Sequence, residues 1–227
     1  MTPGAREVAA STLSFASHEV KEVRRALAVE MPLELVFGTI PYAVMMLTPD
    51  DLEDFVTGFA MTEGVIERAA DIRAIKIEQH PKGLRALIDL VPEKLSAHLA
   101  RKRAMTGRTS CGVCGIEDLA SLPLQDEAVS KSKGVSDAAI KCAIDSLGAH
   151  QPLNDATRAV HAAAWFKRDG SFILAREDVG RHNALDKLIG AMAARRMDFA
   201  AGSLLITSRA SYEMIQKAAM MNIGVVA

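Results

Sequence analysis

Residues 160–180 read Val160-His161-Ala162-Ala163-Ala164-Trp165-Phe166-Lys167-Arg168-Asp169-Gly170-Ser171-Phe172-Ile173-Leu174-Ala175-Arg176-Glu177-Asp178-Val179-Gly180. The apolar run Val160–Phe166 predicts a strand, Asp169-Gly170 a hairpin turn, and residues 171–176 the partner strand. Gly180 then opens a helix bearing Leu185, Leu188, Ile189 and Met192 at helical spacing. Residues 203–207 read as a buried strand, and Ser211 starts a second helix with Met214, Ile215, Ala218 and Ala219. Residues 223–227 begin another strand. Strand and helix in alternation imply an α/β unit, a parallel sheet with helices packed on it.

Upstream, the pattern differs. Residues 1–28 are polar, Ala-rich and poorly patterned, as in a loose arm. Leu33, Leu35 and Phe37 then alternate, Gly38-Thr39 turns, and Tyr42, Val44 and Met46 resume, a hairpin signal. Thr48-Pro49-Asp50-Asp51 predicts a helix start, with Thr48 as cap, Pro49 at the first position and acids at the positive dipole end. Phe55, Val56, Phe59 and Ala60 follow at helical spacing and Gly64 ends the run. Residues 72–78 and 84–91 read as two more strands, and 92–103 as a helix. Residues 121–134 read as a linker. Ser136 caps a helix with Ile140, Ala143, Ile144 and Leu147. A small α+β domain over 29–120 and a second domain over 135–227 follow.

The composition excludes several classes. The 227 residues are 49% hydrophobic and 24% charged, ordinary for a globular chain and unlike a disordered or fibrous one. Twenty-seven basic and 28 acidic side chains leave a net charge of −1, which argues against general nucleic-acid binding. No window of apolar residues reaches spanning length, so no membrane contact is expected. Three cysteines do not make a disulfide scaffold, and no signal peptide is visible. The expectation is a cytoplasmic protein with reduced thiols.

Chemistry concentrates in three places. The first is Cys111-Gly112-Val113-Cys114, with Arg108 three residues upstream and glycines on both sides. A nearby cation lowers a thiol pKa, and the thiolate is the nucleophile. Flanking glycines let the sulfur move between two places. Half of a zinc site, a thioredoxin-type redox pair and inert structural thiols are the competing readings. Cys142 is expected to pack on its helix.

The second is the stretch from Arg176 to Lys187 at a strand-to-helix switch, where Arg181, His182 and Lys187 add charge and Asn183 and Asp186 lie between them. The third is Thr207-Ser208-Arg209-Ala210-Ser211-Tyr212-Glu213, again between strand and helix. In open α/β sheets, ligands bind beyond the carboxyl ends of strands, and free N–H groups at a helix start hold phosphate. Simple capping and a solvated charged face are the bland alternatives. Two such turns, each with an Arg, favour a shared phosphate-binding edge.

Taken together, residues 107–115, Glu177-Asp178-Val179-Gly180-Arg181-His182-Asn183-Ala184-Leu185-Asp186-Lys187 and Ser208-Arg209-Ala210-Ser211-Tyr212-Glu213-Met214 resemble the FdhD family, the sulfur carrier proteins for formate dehydrogenase. His161–Trp165 and residues 45–52 fit the same pattern, and the resemblance runs from about residue 30 to the end. It implies a sulfurtransferase. Sulfur from a cysteine desulfurase would be held as a persulfide on Cys111, with Cys114 assisting by exchange or relay. The acceptor would be the molybdenum (or tungsten) bis-molybdopterin guanine dinucleotide cofactor, a bound substrate that then enters formate dehydrogenase.

The resemblance also implies that Arg108, Arg181, His182, Asn183, Lys187, Ser208, Arg209 and Ser211 receive the cofactor, its guanine nucleotide phosphates lying at the two Arg-bearing turns. It implies a homodimer and a cytidine-deaminase-like three-layer core in the larger domain, beside the smaller N-terminal α+β domain. A zinc deaminase needs a Pro-Cys-x-x-Cys at its second helix start. Ser208-Arg209-Ala210-Ser211 has no thiol there, so the topology is expected without catalytic zinc. Family members continue for some fifty residues past Ala227, so the nucleotide-binding domain is expected to be shortened at its C-terminal end. A non-catalytic cofactor-binding chaperone and a C-x-x-C thiol–disulfide oxidoreductase are the alternative functions.

Overall fold

Residues 5–28 are not a loose arm in the computed structural model, which describes residues 4–96, 129 and 134–227. Strand β1 (Ala5–Leu13) pairs antiparallel with β2 (Val20–Ala28) along its whole length. Small and polar side chains and one mostly exposed ribbon explain why no burial alternation betrays it in the sequence.

The next strands follow the expected pattern. Strands β3 (Met31–Phe37) and β4 (Ile40–Leu47) form the hairpin, and β5 (Ile72–His80) and β6 (Gly83–Leu90) form another. Strand β3 pairs in parallel with β6, giving a four-stranded sheet of order β4-β3-β6-β5. Helix α1 (Leu52–Thr62) lies between the two hairpins in sequence. It begins later than the Thr48 cap would have it. Asp51, in left-handed conformation at φ 51°, is its N-cap, and Thr48 is drawn into other contacts. Residues 92–96 start α2; the remainder of that expected helix, the linker at 121–128 and 130–133, and Arg108, Cys111 and Cys114 lie outside the described residues.

Helix α3 (Asp137–Leu147) is capped as expected, the Ser136 hydroxyl accepting from Ala139 N at 3.2 Å. Its inner face is Ala139, Ala143 and Leu147, while Ile144 is exposed. Cys142 is exposed too, one position off that face, so it is not the packing residue anticipated. A short helix α4 (Pro152–Thr157) follows.

The last sheet corrects the parallel expectation. Strand β7 (His161–Lys167) sits between β8 (Phe172–Asp178) and β9 (Gly202–Ile206) and is antiparallel to both. Helix α5 (Arg181–Ala194) thus carries the chain from β8 over β7 to β9, and α6 (Tyr212–Met220) follows β9. At the end of the chain Val226 bridges Leu204 in parallel, so strand pairing continues beyond β9. The order of strands along the chain fits either arrangement, and the hairpin at Asp169-Gly170 forces the antiparallel one.

Alternate residues of β7 face different helices. Ala163 and Trp165 join the cluster that contains Leu185 and Leu188 of α5. Ala164 and Phe166 join Ala143 and Leu147 of α3. A strand covered on both faces explains the unbroken apolar run that began the sequence reading. The larger cluster also takes in Leu33, Phe37, Phe55 and Phe59, so the two portions expected as separate domains share one core. The structure is mixed α/β.

Candidate functional site

Asp178, the last residue of β8, organises the start of α5. Its side chain is wholly buried. Oδ1 accepts from Gly180 N at 2.8 Å and Asn183 Nδ2 at 2.9 Å, and Oδ2 accepts from Thr48 N at 3.0 Å. Lys187 Nζ lies 2.7 Å from Oδ2 and donates to the carbonyls of Thr48 at 2.9 Å and Glu177 at 3.3 Å. Three partners match the three donors of an ammonium. Asn183 Nδ2 also donates to Met46 O at 2.8 Å. Lys187 and Asn183 were expected to contact the cofactor. Here they point inward and fix the turn against the end of β4, with no Lys187 donor left for a phosphate.

The outward residues are Arg181 and His182, at the first two positions of α5, and the turn before α6. Ser211 is the N-cap of α6, yet its hydroxyl makes no capping bond. Arg181 Nε, His182 Nε2 and Ser211 Oγ are buried atoms without a hydrogen-bond partner among the described residues. Buried polar atoms are normally paired; His182 Nε2 has the Glu213 carboxylate beside it, whereas Arg181 Nε and Ser211 Oγ have no partner that would satisfy them. Arg209 is exposed on the same turn, and the Ser208 hydroxyl donates to Arg209 O at 3.2 Å. The free N–H groups and dipoles of both helices favour an anion there.

His182 joins the two helix starts. Its Nε2 lies 2.6 Å from Oε2 of Glu213 on α6, an ion-pair distance when the ring is protonated. Burial pushes the imidazole below its ordinary pKa. Glu213 opposes that shift, the next largest influence, and the positive charges of Arg181 and Lys217 reinforce it. An unfolded imidazole titrates near ~6.5. Between the folded and unfolded values the unfolded chain binds the extra proton, so stability there rises with pH. The folded protein should therefore lose stability as pH falls through that window. Melting temperature from roughly pH 7 to roughly pH 5 should drop more steeply for the wild type than for His182→Gln. Parallel curves would sink this assignment.

One helical turn deeper, Asp186 and Lys217 repeat the contact. Lys217 Nζ donates to Asp186 Oδ1 at 2.8 Å and Oδ2 at 2.7 Å, and to Thr62 Oγ1 at 2.9 Å. Thr62 Oγ1 donates to Asp186 Oδ1 at 2.8 Å. Sequence reasoning did not bring Lys217 and Thr62 into this region, and it quoted Asp186 and Glu213 within the two motifs without giving either a role. The signal was present as spacing: His182 and Asp186, like Glu213 and Lys217, stand four apart on one helix face.

No three His, Cys, Asp or Glu side chains gather as a metal site among the described residues, and no described helix is long and apolar enough to cross a membrane.

The arrangement can be set beside known proteins. Residues 28–227 match the model of the FdhD/NarQ family. A protein of Xanthomonas euvesicatoria pv. vesicatoria named "Sulfur carrier protein FdhD" is 45% identical over 205 residues, 90% of this chain and 73% of its own. One of the same name from Cupriavidus necator is 43% identical over 201 residues, 88% of this chain and 70% of its own. A crystal structure from Desulfotalea psychrophila, of a protein assigned as a formate dehydrogenase accessory protein, superposes with a TM-score of 0.71. It covers 99% of this chain and 82% of that one at 22% identity, which is a likeness of fold.

Proposed function

Because the chain belongs to the FdhD/NarQ family, we propose that it is a sulfur carrier serving formate dehydrogenase in the cytoplasm. In this reading it is a sulfurtransferase. The Cys111 thiolate attacks the outer sulfur of a cysteine desulfurase persulfide; the donor leaves as a thiolate and Cys111 becomes the persulfide. Arg108, upstream on the same stretch, favours the thiolate. Cys114 assists by exchange. The acceptor is the molybdenum or tungsten bis-molybdopterin guanine dinucleotide, bound as substrate and passed on to formate dehydrogenase.

The observation that carries the binding half of the reading is the pair of buried atoms without a hydrogen-bond partner, Arg181 Nε and Ser211 Oγ, at two helix starts that the His182–Glu213 contact holds together. Guanine nucleotide phosphates are anions with several acceptor oxygens, and an Arg fork, a hydroxyl and free helix N–H groups suit them. Arg209 and Ser208 extend the same edge. Asn183 and Lys187 serve it indirectly, by holding the turn. We further read the β8-β7-β9 sheet, with helices on both faces and its pairing extended in parallel at Val226, as a cytidine-deaminase-like core used without catalytic zinc. A homodimer is part of the same reading.

The test is mass spectrometry of the chain after incubation with a cysteine desulfurase and cysteine. The peptide containing Cys111 should gain one sulfur atom, removable by a reducing thiol. A Cys111 peptide of unchanged mass, beside a desulfurase shown to be turning over, would falsify the sulfurtransferase reading.

A further inference from the structure

We infer that Lys217 is a positioning residue for the phosphate-binding edge, pinning the body of α6 to α5 and to the end of α1 and so fixing the turn with Arg209 and Ser211 that precedes it. The inference rests on the reading of that edge given above. Of the nine residues of α6 only Met214 and Ala218 are buried, and hydrophobic burial is non-directional. The Lys217 ammonium supplies direction. It holds both oxygens of Asp186, whose side chain is 1% exposed, and the hydroxyl of Thr62 at the last turn of α1. Its Nζ also lies 5.6 Å from the centroid of the Phe59 ring, a cation–π distance. Glu63 Oε1 stands 3.9 Å away.

The geometry is a ladder of two rungs. On α5 the sequence is His182 then Asp186; on α6 it is Glu213 then Lys217. Charges alternate across and along the ladder once His182 is protonated. The upper rung sits at the two helix starts, and the lower rung is the buried, fully hydrogen-bonded one. Loosening the lower rung frees α6 to shift, and the upper rung and Ser211 shift with it. In this way α1, from the first half of the chain, sets the width of an edge formed by the second half.

Three variants test this: Lys217→Met, Lys217→Arg and the double variant Asp186→Asn/Lys217→Met. Hydrogen–deuterium exchange reads the position of α6 without any ligand, and guanosine diphosphate is the binding probe. In Lys217→Met, exchange over residues 208–214 should accelerate while β7 and β9 stay protected, and affinity for the probe should fall by about tenfold. Lys217→Arg keeps the cation and should recover most of both. The double variant leaves no buried lone charge, so its melting temperature should recover while its affinity stays low. Affinity that recovers with melting temperature overturns the positioning role, because the effect is then stability alone. Unchanged exchange at 208–214 in Lys217→Met overturns it as well. A wild-type chain that binds no guanosine diphosphate overturns the phosphate-edge reading itself, and the role of Lys217 at that edge with it, even when the exchange result is as expected.

Discussion

Lys187→Met is expected to destabilise the fold by about 3–5 kcal/mol, the usual cost of breaking a buried ion pair from one side. Neither Lys187 nor Asp178 has any exposed side-chain surface. Methionine keeps the length of the chain but leaves the Asp178 carboxylate buried without its cation, and leaves the carbonyls of Thr48 and Glu177 without that donor. For a chain of this size the melting temperature should drop by roughly 10 °C. Asp178→Asn in the same background should recover part of the loss, since the uncompensated charge disappears. Recovery should be incomplete. Thr48 N, Gly180 N and Asn183 Nδ2 all donate to Asp178, and an amide nitrogen cannot accept from one of them. Urea denaturation of the two single variants and the double variant closes the cycle. A Lys187→Met protein within about 1 kcal/mol of wild type would show that the pair is not structural and would return Lys187 to the group of ligand-binding candidates.

That pair also shows where sequence reading stops. The strands β3 to β6 and helices α1, α3 and α6 were legible because burial on one face leaves a period of two or near four in the residues, and β7 and β9, buried along their length, were legible as unbroken apolar runs. The β1–β2 ribbon buries too little to leave such a mark. The turn before α5 was legible as polar and Gly-containing, which suggested a ligand site, and Arg181, His182, Asn183 and Lys187 were all assigned to the ligand. Their direction was the missing information. Asn183, Asp186, Lys187 and Gly190 fall at the spacing of a helix face, and α5 is buried continuously from Asn183 to Met192. Three polar residues on a buried helix require internal partners. Two of those partners, Thr48 and Thr62, lie more than a hundred residues away in sequence. Arg181 and His182, ahead of the buried stretch, are the ones left facing the edge.

Gly58→Ala should be strongly damaging, costing ~3 kcal/mol or more. At an open helix position the same change stabilises by up to about 1 kcal/mol, because alanine has the better helix propensity. Gly58 inverts that sign. A Cβ there would lie 1.8 Å from the Asp186 carbonyl oxygen and 2.8 Å from Gly190 N, and a Cβ on Gly190 would lie 1.8 Å from Asp54 O. Helices α1 and α5 thus touch backbone to backbone, each supplying the glycine that admits the other. Carbon and oxygen need well over 3 Å, and a backbone carbonyl inside a helix has no rotamer with which to give way. The two helices must separate instead. Separation loosens Phe55, Val56, Phe59, Leu185 and Leu188, all of the main core. It also lengthens the Asp186–Lys217–Thr62 contacts that cross the same interface. Gly148→Ala is the control: outside its own chain neighbours and helix backbone nothing lies within 4 Å of its Cβ position, and its φ of −56° is helical. It should be neutral or slightly stabilising. If denaturant midpoints for Gly58→Ala and Gly148→Ala move together, the close crossing of α1 and α5 does not hold the fold.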